Sequence, residues 1–276
     1  MSNPNFAIFS FVLLLGHTQV ICRGDEISTN GQQIFERYHG AVVTLRVLLR
    51  SSYSKDGKTS PPTESKYDLT GTVVDPSGLI VLAHSGCDPG EFYKRTSSVY
   101  EGYKVESEIS DLKILLDDKT EVPAEIVLRD RDHDLAFARP RSTPARAWKA
   151  VDLTKSGSAK LLDQVIALNR LNSVSGRSYS ASVARIIAVV AKPWLFYLHD
   201  GTSPGLGLGS PVFSLDGNLL GLAVMRVSGA KGADDDENSV SIIIPTEQVL
   251  KVAKQAPPIQ DKAEKGEKRE APKDQK

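Results

Sequence analysis

The stretch Ser203-Pro204-Gly205-Leu206-Gly207-Leu208-Gly209-Ser210-Pro211, running on into Val212-Phe213-Ser214-Leu215-Asp216-Gly217-Asn218-Leu219-Leu220-Gly221, carries the reading of this chain. Glycine and leucine alternate in its first part, which two prolines bracket, and that composition marks a tight loop. Ser210 is the only hydroxyl in the tight part of the loop. The second part is a hairpin, with Pro211–Ser214 and Leu219–Val227 strand-like and Leu215-Asp216-Gly217-Asn218 turning one into the other.

The same style holds on either side. Ile34–Tyr38 reads as a short helix leading into a strand over Ala41–Leu49, and Ser51–Ser65, rich in Ser, Lys, Thr and Pro, reads as a surface loop. A second hairpin follows over Leu69–Asp75 and Leu79–Ala83. Its turn, Asp75-Pro76-Ser77-Gly78, has proline second and glycine fourth, as a type I turn prefers. Further strands are expected at Leu112–Leu116, Val122–Leu128, Leu135–Ala138, Val165–Leu168, Ala181–Val190 and Val240–Ile244, with a closing helix over Pro245–Lys254. Many short strands and few helical periods argue for an all-β sandwich or pair of barrels. Trp148, Trp194, Phe196 and Tyr197 read as core and interface aromatics. From Gln255 the chain is Lys, Glu, Asp, Pro and Ala, a composition that buries nothing and is expected to be disordered. Residues before about Gly31 and after about Gln255 are accordingly expected to be dispensable for folding.

At 276 residues, 40% hydrophobic and 25% charged, the composition is that of an ordinary globular chain. A formal net charge of zero removes the electrostatic argument for a nucleic acid or an anionic membrane as partner. The apolar run Phe6–Gly16 within Met1–Gly24 reads as a signal peptide with cleavage before Asp25, so a secreted or periplasmic location is expected. No Lys or Arg precedes the run, which is too short to span a bilayer. Gln19-Val20-Ile21 lacks the small residue that normally precedes a lipidated cysteine, which argues against lipidation of Cys22. Cleavage leaves Cys87 unpaired, as a small buried hydrophobe with no disulfide to form. Asp234-Asp235-Asp236-Glu237 offers hard oxygens but lacks the alternating spacing and glycine of a calcium loop, so it reads as a solvated loop. No cofactor or metal is expected.

Four segments in order resemble the trypsin-like serine proteases of the HtrA/Deg type. Gly71–Val81 is similar to the hairpin that precedes their catalytic histidine, and Asp132-His133-Asp134-Leu135-Ala136 to their Asp-Leu-Ala segment. Asp163–Asn169 looks like the start of their second barrel, and Ile242-Ile243-Ile244-Pro245 like their last strand. The opening loop resembles their Asn-Pro-Gly-Asn-Ser-Gly-Gly-Pro nucleophile loop. The resemblance covers roughly Ala41 to Val252 and implies two six-stranded antiparallel β-barrels with a cleft between them; unlike most of that type, no PDZ domain is expected to follow, because the chain runs into the charged tail. It divides the chain into a signal peptide over 1–24, an N-terminal barrel with leading helix over 25–142, a C-terminal barrel with closing helix over 143–254 and a charged tail over 255–276.

The same resemblance locates the chemistry, and there the chain departs from it. Acyl transfer by serine needs a hydroxyl, a base, a carboxylate to orient the base, and donors for the oxyanion. Counted back from Pro211 the nucleophile position is Leu208; counted from Pro204-Gly205 it is Gly207, and neither side chain can attack a carbonyl. The oxyanion glycine corresponds to Leu206 or Gly205 in the two registers. Counted from Gly78, the base position falls on Ser85, with His84 one residue early, and one residue of offset on an extended segment turns a side chain to the opposite face. A local bulge could correct that offset. Asp134 matches the orienting aspartate, or is a carboxylate accepting hydrogen bonds at the start of a strand. His133 is expected to point away from it and to be exposed.

Three functional readings stand at this point. One is an inactive protease homologue that binds an extended peptide or protein partner in the inter-barrel cleft. Another is a serine endopeptidase using a displaced His84, Asp134 and Ser210. The last is a structural or assembly domain. The residues do not fix the oligomeric state.

Overall fold

A computed structural model describes residues 23–96, 102–202, 205–227 and 239–259, in which two closed six-stranded antiparallel barrels lie side by side. The apolar run Phe6–Gly16, Cys22, the Ser203-Pro204 anchor, the acidic run Asp234–Glu237 and the tail beyond 259 lie outside the described residues. No helix among the described residues is long and apolar enough to cross a membrane.

The first barrel contains β1 (Val42–Lys55), β2 (Lys58–Thr59), β3 (Thr63–Asp75), β4 (Leu79–Ala83), β5 (Lys104–Leu115), β6 (Glu121–Asp130) and β7 (Leu135–Pro140). Its order is β1-β3-β4-β7-β6-β5, closed by β5 pairing back onto β1, with β2 appended to β1. Ser51–Ser65 is therefore not a loop. The arms of β1 and β3 continue through it, pairing Leu49 with Ser65 and Ser51 with Thr63. The ribbon runs past the end of the core, so its side chains have nothing apolar to face and its composition is that of a loop.

The second barrel contains β8 (Gln164–Arg170), β9 (Tyr179–Val190), β10 (Phe196–His199), β11 (Pro211–Ser214), β12 (Leu219–Val227) and β13 (Ser239–Pro245), in the order β10-β13-β12-β11-β8-β9. β10 was not foreseen, because Phe196 and Tyr197 read as core aromatics; both are buried, and both are also strand.

Strand alternation creates two barrel cores and a seam between them. Along β4, Ile80 and Leu82 point into the first barrel with Leu45, Val47 and Ile114, while Leu79 and Val81 point out towards the second. Leu135 and Phe137 of β7 join them there, facing Ile166, Phe213, Leu222, Val224 and Ile242. Both faces of β4 are thus buried, which is why Leu79-Ile80-Val81-Leu82-Ala83 is apolar throughout. Ion pairs from Arg177 to Asp68 at 2.7 Å and from Arg170 to Asp117 at 2.9 Å bridge the barrels outside this layer.

Two helices roof the seam. The leading helix α1 spans Arg23–Tyr38, longer than the Ile34–Tyr38 expected, and a cut before Asp25 would fall inside it. Ile34 is buried, Ile27, Phe35 and Tyr38 pack on the same cluster, and the Tyr38 ring stacks on Phe213 at 4.6 Å between centroids. Residues before Gly31 therefore contribute apolar surface through Ile27, contrary to the expectation that they are dispensable. A helix over Thr246–Ala253 closes the chain with Val249 and Val252 on the cluster. Residues 255–257 are also tied down: Ala256 packs on the seam and the Arg139 Nε donates to the Pro257 carbonyl at 2.8 Å. Cys87 is free and buried, and burial pushes its thiol up to about 12.

Truncating Ile34 to alanine removes the buried apolar side chain of α1 from the seam. The expected loss is roughly 2–4 kcal/mol, read as a lower urea midpoint with an unchanged slope.

Candidate functional site

After β4 the chain turns into two short helices, α2 (His84–Cys87) and α3 (Pro89–Thr96), at the mouth of the inter-barrel cleft. The extended segment assumed at His84-Ser85 is thus one helical turn, so the two side chains diverge by a helical step instead of lying on opposite faces. Ser85 reaches Asp134. Its backbone N–H donates to Asp134 Oδ1 at 2.6 Å and its hydroxyl to Oδ2 at 3.0 Å. The Met225 N–H of β12 donates to the same Oδ2 at 2.7 Å, and the His84 N–H donates to the Asp134 carbonyl at 2.9 Å.

Asp134 sits at the turn before β7 with φ +54, a left-handed conformation that Asp tolerates better than most residues. The turn is built by Asp130, whose Oδ1 accepts the N–H groups of Asp132 and His133 at 3.1 and 3.2 Å. Burial outweighs the three donors and pushes the Asp134 carboxyl up to about 6.

His84 turns elsewhere. Its ring is buried, Nε2 lies 3.8 Å from Glu91 Oε2, and Nδ1 has no hydrogen-bond partner among the described residues. Burial lowers its pKa, with Glu91 opposing, so the imidazole is neutral at pH 7. His133 is not exposed as expected. Its Nδ1 bonds Asp130 Oδ2 at 2.9 Å and its ring lies 5.0 Å from that of Trp194, because the Asp130 turn swings it into the cleft.

The glycine-leucine loop is folded into the second barrel. Leu206 is buried in that barrel's core and its N–H donates to the Thr202 carbonyl at 3.1 Å, so one of the two expected oxyanion donors is already spent. A Cβ on Gly207 would lie 2.7 Å from the Asn169 amide nitrogen, leaving little room for a serine in that register. Leu208 is half-buried and is not among the residues lining the cleft cavity. Gly209, at φ +87, presses against β3: a Cβ there would stand 2.2 Å from the Thr70 carbonyl oxygen, and its own carbonyl accepts from the Thr72 hydroxyl at 2.8 Å. Ser210 is fully buried and its hydroxyl has no hydrogen-bond partner among the described residues. The structure therefore joins Ser85 to Asp134 and does not bring His84, Asp134 and Ser210 into one hydrogen-bonded set.

A cavity of about 390 Å³ opens beside Ser85 and Asp134, between α2, α3, the Asp130 turn and the end of β12. Arg95, Arg131, Trp194 and Arg226 line it, and sequence reasoning assigned none of them to the site. The one signal available was β12 itself, whose side chains are buried through Val224 and half-buried from Met225 on. No group of three or more His, Cys, Asp or Glu side chains among the described residues is placed to hold a metal ion.

Comparison with known proteins bears on this arrangement. The family model of the trypsin-like peptidase domain matches residues 69–222, more than half of the chain. No curated protein matches the sequence. Among solved structures the chain is similar to the HtrA-type protease AlgW, in a variant form with a tripeptide, at 17% identity and a TM-score of 0.52. That alignment covers 82% of this chain but only 62% of the other, and at such identity the likeness is one of fold.

Two outcomes test the site. Ser210→Ala removes a buried hydroxyl that has no partner and is expected to be neutral or to stabilise by up to about 1 kcal/mol in urea unfolding. Asp134 has a folded pKa of about 6 against 3.8 when free, so folding favours its protonated form. Its contribution is greatest below the free value and is lost as pH rises through about 6. Stability is expected to fall by on the order of 2–3 kcal/mol over that window, and Asp134→Asn to flatten the fall.

Proposed function

This chain belongs to the trypsin-like peptidase domain family, and from that membership we propose that it is a catalytically inactive member that binds an extended peptide in its inter-barrel cleft. The observation that carries the reading is the Ser85–Asp134 pair. A carboxylate in this family's arrangement orients an imidazole, which then takes a proton from the nucleophile. Here both Asp134 oxygens are occupied by Ser85 and Met225, and a serine hydroxyl cannot serve as the base near neutral pH. The nucleophile positions Leu208 and Gly207 supply no hydroxyl. Losing base and nucleophile together leaves only cleft binding and residual polarisation.

Binding has a physical basis in the edge of β12. The Ala223 N–H goes to the Ser210 carbonyl and the Met225 N–H to Asp134, so by strand alternation Val227 turns its own N–H and C=O to the same edge. No described residue hydrogen-bonds to Val227 there. An extended chain added at this edge gains main-chain hydrogen bonds while its side chains enter the adjacent cavity. The displaced-triad alternative is disfavoured because Ser210 is fully buried and the His84 imidazole makes no hydrogen bond to either Asp134 or Ser210. No observation favours a purely structural role. We place the protein's action in a secretory or periplasmic compartment on the apolar run Phe6–Gly16.

Incubation with unfolded casein is the direct test: the expected result is retention of casein without cleavage, and no labelling by a fluorophosphonate. Leu208→Ser and Ser85→His, each alone, should also give no turnover, since each leaves the other half of the chemistry missing. Casein cleavage, or stoichiometric labelling of the unaltered protein that Ser210→Ala abolishes, would sink the inactive reading.

A further inference from the structure

Resting on the peptide-binding reading, we propose that the cleft selects a carboxylate-bearing peptide, with the Arg226 guanidinium, supported by Arg95, receiving the carboxylate. Arg226 follows Met225 at the end of β12, beside the edge where the peptide would lie. Its guanidinium carbon stands 4.9 Å from the centroid of Trp194 and 4.8 Å from that of Phe196. Aromatic stacking of this kind steadies the planar group without using its N–H donors. Among the described residues neither Arg226 nor Arg95 has a carboxylate within ion-pair distance. Both line the cavity.

The acids around them, Asp132 apart, are held by other donors. Glu91 pairs with Arg131 at 3.3 Å. Asp88 Oδ1 accepts from the Glu91 N–H at 3.0 Å and from the Ser107 hydroxyl at 2.5 Å. Asp134 takes three donors, as above, and Asp130, just outside the lining, holds His133. Asp132 is the one lining acid whose carboxylate has no partner among the described residues, and it is exposed. His84 is neutral near pH 7. Asp88, Asp132 and Asp134 keep their charges, so the attraction for an anionic ligand is local: Arg226, at the peptide edge, packs its face on Trp194 and Phe196 and has no carboxylate on its N–H donors among the described residues. A carboxylate offers two oxygens to the guanidinium fork, a pairing that a neutral amide cannot reproduce. The carboxylate can come from an Asp or Glu side chain or from a peptide C-terminus.

The test uses the full chain and a positional-scanning library of acetylated octapeptides, half of them C-terminally amidated and half free acids, with retained peptides read by mass spectrometry. In the amidated half, enrichment of Asp and Glu over Asn and Gln by roughly tenfold at one position identifies a side-chain carboxylate. Enrichment of the free acids over matched amides, whatever their internal residues, identifies the C-terminus. Either result supports the proposal, provided Arg226→Gln abolishes the preference at an unchanged thermal midpoint and Arg226→Lys restores part of it. Retention without carboxylate preference, or a preference that survives Arg226→Gln, overturns the proposal and leaves peptide binding standing. If no peptide is retained, the peptide-binding reading falls and this one with it.

Discussion

The carboxylate of Asp134 is the knot on which the rest of the cleft depends. One oxygen takes the N–H of Ser85 and the other takes the Ser85 hydroxyl and the N–H of Met225. Those donors come from the end of β4 in one barrel and from β12 in the other, so a single buried acid fixes both walls of the cavity. Its depth pushes the carboxyl up to about 6 even with three donors in place. Ser85 adds a short hydroxyl to this set, which draws the chain after β4 of the first barrel onto the acid.

The glycine-leucine loop makes a parallel case. Neither Gly207 nor Leu208 carries a hydroxyl, yet the loop is built firmly into the molecule. Leu206 lies in the core of the second barrel, and Gly209 is wedged against β3 of the first, with its carbonyl accepting from Thr72. These contacts do not depend on chemistry at position 208. The loop therefore holds the two barrels at a set distance through backbone and core contacts alone.

Much of the fold was legible because it rests on period-two alternation and turn residues. The hairpin through Asp75-Pro76-Ser77-Gly78 and the pair Pro211–Ser214 and Leu219–Val227 lie where the sequence puts them. The misreadings share a cause: composition reports what a side chain faces and not how its backbone is paired. The polar ribbon over Ser51–Ser65 faces water while most of its main chain is paired, and Phe196 and Tyr197 look like core because they are core as well as strand. At the site, Ser85 could be found by counting from Gly78 and Asp134 by its place before Leu135-Ala136. The helical turn that sends His84 towards Glu91, and the approach of Arg226 to Trp194, depend on contacts between segments distant in sequence and leave no local trace.

The seam between the barrels has a consequence for how the chain is made. Apolar side chains of β4 and β7, in the first half, line it, but part of their cover comes from Ile242, Val249 and Val252 near the other end. A nascent chain emerging from the ribosome can close its first barrel and will still show Leu79, Val81, Leu135 and Phe137 to solvent. That face stays sticky until the final strand and helix arrive, so maturation is gated by the last segment translated, and the interval before it is when chaperone protection counts most.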